Sequence, residues 1–232
     1  MKRFYKDVQI FQEGGGCFIT LDGKKIRTPS RQMMKLPTVA LAEAIADEWR
    51  DQSEEIRPLD MTLTQLANTA IDQTRPHRIR MIEQVAVYAR TDLLCFRTAM
   101  PRDLAERQAV SWQPLLDWSE SEFGARLAVT TDLAPIEQSE QSLLAIYTAV
   151  ARLDDFTLTG LAAGTAASGS VILGLALLHR RLDADEACSL SQLDEQYQSG
   201  RWGEDPDAEA QRVSVYRTIA CAGIFMALSQ AD

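Results

Sequence analysis

The chain has 232 residues, 46% of them apolar and 25% charged, with a formal net charge of −9. That is enough for one large domain or for a small and a medium one, and the proportions are those of a globular protein rather than a disordered or fibrous one. The charge is uneven: residues 1–110 carry 17 basic and 15 acidic residues, and residues 111–232 carry 7 and 18. An acidic second half argues against nucleic acid and anionic membrane as partners and suits a basic protein surface.

The N-terminus, Met1-Lys2-Arg3-Phe4-Tyr5-Lys6-Asp7, has charges with no apolar run behind them. It reads as neither a signal peptide nor a transit sequence, so the expected site of action is the bacterial cytoplasm. Cys17, Cys95, Cys188 and Cys221 lie far apart without a CxxC spacing. That pattern fits reduced, buried thiols rather than a disulfide framework.

Phe4 to Phe11 is expected to form a strand, and Gly14-Gly15-Gly16 to break it. Residues 17–21 and 24–28 flank Asp22-Gly23, a dipeptide that favours the positive backbone angles of a type I′ hairpin. Pro29 should end the second strand of that hairpin. Thr38 should cap a helix to about Asp51, with Val39, Ala42, Ile45, Ala46 and Trp49 inward. The domain boundary is expected near residue 58, separating a small α+β domain (1–58) from a helical domain (59–232). The fold class is therefore α+β, a small N-terminal β-sheet with one helix followed by a larger all-α domain.

Helix signals dominate thereafter. Thr62-x-x-Gln65 reads as a capping box, with Leu63, Leu66, Ala67, Ala70 and Ile71 on one face. Arg75-Pro76 should open a helix that buries Ile79, Ile82, Val85, Ala86 and Ala89. Leu93-Leu94-Cys95-Phe96 is an expected buried run. Pro101 to Phe123 reads as a helix kinked or broken at Pro114, and Ser139 to Leu153 as an amphipathic helix. Leu158 to Leu178 holds no charged residue, the length of a membrane span. Its small residues and Ser168-Gly169-Ser170 favour a buried central helix or helix pair instead. Asp183-x-x-Glu186 should cap the helix that carries Glu195. Asp207 to Ser229 should be the last helix, with Val213, Tyr216, Ile219, Ala220, Gly223 and Phe225 inward.

A search for chemistry finds little. His77 and His179 are far apart, no HExxH or GxSxG is present, and no metal or cofactor is expected. Gly164 to Ser170 imitates a phosphate loop but lacks its lysine, which argues against nucleotide hydrolysis. Arg75, Arg78, Arg80, Arg90 and Arg97 form a basic cluster. It is expected to pair with Asp72, Glu83 and Asp92, or else to hold an anionic partner.

The stretch 193–205 holds the strongest functional signal. Ala187, Leu190, Leu193 and Tyr197 recur at helical spacing, which sends Glu195 to the opposite side and Asp194 to the flank. A turn is expected at Gly200, followed by Trp202, Gly203, Glu204 and Asp205 leading into the next helix. An aromatic ringed by acids can be a contact surface or a helix corner with Trp202 plugging the core.

The run Leu193-Asp194-Glu195-x-Tyr197-Gln198-x-x-x-Trp202-Gly203 resembles the C-terminal signature of a family of assembly chaperones for F-type ATP synthase. Further fragments agree in order and spacing: Ala46-Asp47-Glu48-Trp49, Pro58-Leu59-x-Met61-Thr62, Thr91 to Arg97, and Trp112-x-Pro114-Leu115-Leu116-x-Trp118. The resemblance runs from about residue 3 to about residue 228. It implies a chaperone without ATPase activity or cofactor that binds the unassembled alpha subunit until the beta subunit replaces it. Eukaryotic relatives would work in mitochondria. It also implies a partner contact at the acid Glu195, with Asp194 beside it; the residues themselves add Tyr197 and Trp202 as the apolar centre of the expected contact patch and Glu204 and Asp205 as acids around it. The other reading is a small-molecule enzyme that sets carboxylates such as Glu195 and Asp205 with arginines around an anionic substrate, in a concave pocket. A monomer is expected, since no leftover apolar stripe calls for self-association.

Overall fold

The computed structural model describes residues 2–132, 134, 136–203 and 206–231, with the backbone alone at Trp202. Its strands are β1 (Val8–Glu13), β2 (Gly16–Leu21) and β3 (Lys24–Lys25). Its helices are α1 (Val39–Arg50), α2 (Thr62–Thr69), α3 (Arg78–Ala86), α4 (Arg102–Phe123), α5 (Glu140–Ala151), α6 (Asp155–Ser168), α7 (Val171–Leu178), α8 (Ala184–Ser191), α9 (Leu193–Trp202) and α10 (Pro206–Ser229). A small antiparallel sheet ordered β1-β2-β3 followed by helices is the expected α+β class. Two compact units form: Met1–Arg78 with Asp154–Gly160 and Ile224–Asp232, and Ile79–Leu153 with Leu161–Gly223. The boundary expected at residue 58 thus falls inside the first unit, at the 3-10 turn Pro58–Asp60.

In the first unit both tight turns follow from glycine. Asp22 and Gly23 have φ of 48° and 77°, the left-handed pair that a two-residue hairpin needs. The glycine run does not end the sheet. Gly14 and Gly15 turn β1 back onto β2, and Gly16 starts β2. The first strand begins at Val8 rather than Phe4. The Asp22 carboxylate takes the amides of Lys6 and Asp7 at 3.1 and 2.9 Å, so those residues never enter the ladder as strand. β3 stops at Lys25, short of the expected Thr28.

Thr38 caps α1 as expected, its Oγ1 accepting from the Leu41 amide at 3.1 Å. Leu41, Ala42, Ile45 and Ala46 are fully buried against Ile19, Leu21, Met34 and Leu36. Val39, expected inward, lies in the first turn and is 41% exposed; Leu41 occupies the core in its place. Trp49 is half-buried against this core, edge-on to Tyr5 at 5.6 Å, and the Tyr5 hydroxyl donates to the Trp49 carbonyl at 2.7 Å.

The start of α2 corrects another expectation. No side chain of its own caps it. Instead the Glu48 carboxylate, from α1, accepts from the Leu63 amide at 2.7 Å, the Thr64 amide at 2.8 Å and the Thr64 hydroxyl at 2.7 Å. A capping acid supplied from another helix satisfies the same orphan donors as a local box. Beyond a π turn at Ala70–Thr74, Pro76 sits outside any helix, and α3 restarts at Arg78. Ile79, expected inward, is 68% exposed, while Ile82, Val85 and Ala89 are buried. The expected arginine pairings are not those formed. Arg75 and Arg78 meet Asp155 at 3.2 and 2.9 Å, and Asp72 takes the Thr28 hydroxyl and the Ser30 amide.

In the second unit α4 runs unbroken through Pro114, which lies on the exposed side of the helix. Trp112 is 1% exposed and donates from Nε1 to the Leu190 carbonyl at 2.9 Å. The uncharged run is a helix pair, α6 and α7, bent at Ser168-Gly169-Ser170 with Gly169 at φ 70°. Among the described residues no helix is long and apolar enough to cross a membrane. At Gly174 a Cβ would stand 2.7 Å from Thr165 Oγ1 and 2.9 Å from Leu161 Cδ1, so only glycine lets α7 approach α6 this closely. Val213 and Tyr216 of α10, expected inward, are 39% and 40% exposed. The buried positions Ile219, Ala222, Phe225 and Met226 all lie in the second half of that helix.

Asp92 is fully buried, and among the described residues no arginine forms an ion pair with it. It accepts from the Ser170 hydroxyl at 2.7 Å, the Leu94 amide at 3.1 Å and the Ile172 amide at 3.2 Å. Burial outweighs these donors and pushes its carboxyl from 3.8 to about 6. Burial likewise pushes the Cys95 thiol up to about 12, which leaves it protonated and structural.

Trp49→Arg should lower the unfolding free energy by more than about 3 kcal/mol, since it trades a packed ring for a half-buried charge. Equal melting temperatures would make Trp49 a surface contact. At Asp92 the folded state prefers the protonated form. Its contribution to stability is therefore full below about pH 4 and is lost as pH rises through about 6. The stability difference between wild type and Asp92→Asn should fall by roughly 3 kcal/mol from pH 4 to pH 7. Denaturant titrations at the two pH values give that difference directly, and a flat difference would place the carboxyl near its ordinary value.

Candidate interaction surface

The helix expected to carry both Ala187 and Glu195 is two helices. α8 ends at Ser191, Gln192 leaves helical geometry at φ −114° and ψ 22°, and α9 begins at Leu193. The capping box Asp183/Glu186 therefore caps α8, not the helix of Glu195. Gly200 lies inside α9, and the helix ends instead at Gly203, whose φ of 94° a side chain would resist.

Two of the expected contact residues are turned inward against α4. Asp194 Oδ1 accepts from Gln108 Nε2 at 2.8 Å, and the other end of that buried amide takes the Thr98 N–H at 2.7 Å. Tyr197 is 7% exposed, and its hydroxyl donates to both oxygens of Asp103 at 2.8 and 2.9 Å. The guanidinium of Arg201 lies 5.0 Å from the Tyr197 ring centroid, and Arg107 lies 5.6 Å from it. The Tyr197 hydrogen bond holds the Asp103 carboxyl below the usual carboxylate range, with Arg201 adding to it. Burial, and then the same bond, pushes the Tyr197 phenol up. Asp194 and Tyr197 thus clamp α9 to α4. Gln108 and Asp103, their partners, carry no signal in sequence that would pair them with residues so distant along the chain.

Glu195 stands on the other side of α9 and is exposed, as its helical position requires. Arg212 of α10 donates to the Ser199 hydroxyl at 2.9 Å and so holds the first half of α10 beside α9. Trp202 is helical in backbone; its side chain, with Glu204 and Asp205, lies outside the described residues. A groove of about 850 Å3 in this unit is lined by Gln113, Asp117, Glu120, Arg126, Glu137 and Gln138 among others, and not by Glu195. Among the described residues no group of His, Cys, Asp and Glu is placed to hold a metal ion.

Replacing Tyr197 by Phe removes the main donor to Asp103. An NMR titration should then show the Asp103 carboxyl titrating at higher pH, nearer the ordinary carboxylate range, with α9 loosened from α4. An unmoved titration would mean that Arg201 alone sets the Asp103 charge.

Comparison with known proteins places this architecture. The family model for the ATP12 chaperone protein matches residues 2–120. The crystal structure of Atp12 from Paracoccus denitrificans is 41% identical, covers 99% of this chain and 98% of its own, and superposes with a TM-score of 0.95. The structure of a point mutant of the P. denitrificans protein, at 40% identity and the same coverage, also gives 0.95. Protein atp12, mitochondrial, of Schizosaccharomyces pombe is 27% identical over 219 residues, 89% of this chain and 75% of that protein. With a family match over more than half its length and a solved relative of the same fold along nearly all of it, the chain belongs to the ATP12 family of ATP synthase assembly chaperones.

Proposed function

We propose that this chaperone binds the unassembled alpha subunit of the F-type ATP synthase and shields it until the beta subunit takes its place. Its contact surface is the outward side of α9 and the adjoining start of α10. The observation that carries this is the exposed Glu195, on a helix whose opposite side is clamped to α4 through Asp194 and Tyr197. A charged surface on a rigid helix recognises a partner without rearrangement. Asp194 and Tyr197 act by positioning α9, and the expectation that Trp202, Glu204 and Asp205 share in the contact rests on the sequence. The acidic second half of the chain favours a basic face on the client. Shielding of this kind needs neither nucleotide hydrolysis nor a cofactor. We place the activity in the bacterial cytoplasm, where the synthase head is assembled, and take the working chaperone as a monomer.

Glu195→Lys should abolish client binding while leaving the fold nearly intact, because the side chain is exposed in the free protein. The loss should be about 2–5 kcal/mol of affinity if the charge pair is buried on binding, and mainly slower association if it lies at the rim. The measurements are melting by circular dichroism, suppression of alpha-subunit aggregation and recovery of free alpha subunit from native lysate. Normal melting with undiminished protection would remove Glu195 from the site. Recovery of small metabolites alone would favour an enzyme instead.

A further inference from the structure

The sheet of the first unit leaves one edge open. In β2 the residues Cys17 and Ile19 bond away from β1: Cys17 exchanges backbone hydrogen bonds with Leu36 at 3.0 and 2.9 Å, and Ile19 O accepts from the Ile26 amide at 3.0 Å. The register pairs β2 residues Gly16, Phe18 and Thr20 with Glu13, Phe11 and Gln9 of β1. Those three β1 residues therefore face β2, and Val8, Ile10 and Gln12 turn their N–H and C=O groups to the other side. Arg50 Nη2 reaches the Val8 carbonyl at 3.4 Å. Among the described residues nothing engages the outward backbone groups of Ile10 and Gln12.

Natural edge strands are guarded by lysine, proline, a bulge or a covering element. β1, Val-Gln-Ile-Phe-Gln-Glu, has no lysine or proline, and pairs one-to-one through six residues without a bulge. Beside the open edge Phe11 is 51% exposed, on the same face as Phe18 and the Lys25 ammonium that lies over both rings. The two ends of the strand carry exposed acids, Asp7 and Glu13, the latter also met by Lys25. A second copy pairing symmetrically about Ile10 would set Asp7 opposite Glu13 at both ends, and like charges directly opposite oppose pairing. A foreign strand with a basic residue at each end meets the same two acids favourably.

We propose that the outer edge of β1 is a docking strand for an extended segment of another protein. That segment has basic residues six apart and apolar side chains set against Phe11 between them. Strand addition would satisfy the Ile10 and Gln12 backbone groups, and the surface beside Phe11 would select the side chains. This edge belongs to the first unit and does not depend on the α9 reading.

The test uses the full chain and a synthetic peptide, Lys-Thr-Val-Thr-Val-Thr-Lys, with amide hydrogen exchange followed by NMR. Saturating peptide should slow exchange at the Ile10 and Gln12 amides at least tenfold and leave Gln9 and Phe11, already bonded to β2, unchanged. The same peptide with glutamate in place of both lysines should bind at least tenfold more weakly. Gln12→Pro deletes an outward donor and should abolish the effect; if it disturbs folding, Phe11→Ser should still weaken binding with the sheet intact. No slowing at Ile10 and Gln12, or equal binding of the glutamate peptide, overturns the proposal. So does protection that rises with protein concentration without peptide and comes with a doubled mass, which would assign the edge to a second copy.

Discussion

The buried Asp92 carboxylate is the interaction on which the second unit turns. It receives the Leu94 amide from its own 3-10 turn and the Ser170 hydroxyl and Ile172 amide from the start of α7. It thereby joins the segment after α3 to the helix that forms the centre of this unit. α7 has seven of its eight residues buried and contains no charge that could reach water, so its N-terminal donors need an acceptor supplied from elsewhere. Ser170 takes the Leu173 amide and Asp92 takes that of Ile172, which lets an uncharged helix begin inside the protein. The consequence is a carboxyl that resists ionisation, and the unit tolerates it because leaving several orphan donors buried would be worse.

The same reliance on side-chain acceptors shapes the side of the unit where α9 packs. α9 has low apolar content for a packed helix and is held largely by polar contacts, Asp194 to Gln108 and Tyr197 to Asp103. Polar seams of this kind fix orientation more than they add stability, because each bond replaces one to water. The result is a helix of settled orientation whose far side is free to carry charge. Under the proposed function that arrangement separates two tasks. The inward acid and tyrosine hold geometry, and the outward acid is available to a partner.

Much of the fold was legible in local signals. Asp22-Gly23 marked a hairpin because few other dipeptides tolerate two left-handed residues, and Thr38 marked a helix start because its hydroxyl replaces a missing backbone acceptor. Ser168-Gly169-Ser170 correctly split the uncharged run, since glycine and capping serines end one helix and start another. What could not be read were contacts made across the chain. Thr62-x-x-Gln65 has the letters of a capping box, yet Glu48 occupies its role from α1. Helical spacing from Ala187 to Tyr197 suggested one helix, whereas Gln192 interrupts it and rotates α9 against α8. Periodicity still sent Glu195 outward, because two residues of helix separate it from the inward Tyr197 by about 200° of rotation. It did not show Tyr197 sealed against Asp103, since that partner lies on α4. Residues 204 and 205 fall outside the described structure, so their expected part in the site stands on the sequence pattern alone.

An acid on the outer side of α9 suits a transient partner for a reason of free energy. A chaperone of assembly must bind tightly enough to protect its client and loosely enough to be displaced by the next subunit. Large apolar interfaces favour permanence, while a charged contact at the surface contributes mainly to the rate of encounter and to the choice of partner. Exposed, Glu195 is hydrated in the free protein and adds little to folding, which is what the proposed recognition role asks of it. In the proposed contact, a partner that desolvates it and supplies a cation gives that charge a larger weight. The inward clamps make this possible: because Asp194 and Tyr197 already fix α9, binding loses little free energy in ordering it, and more of a modest contact is retained as affinity.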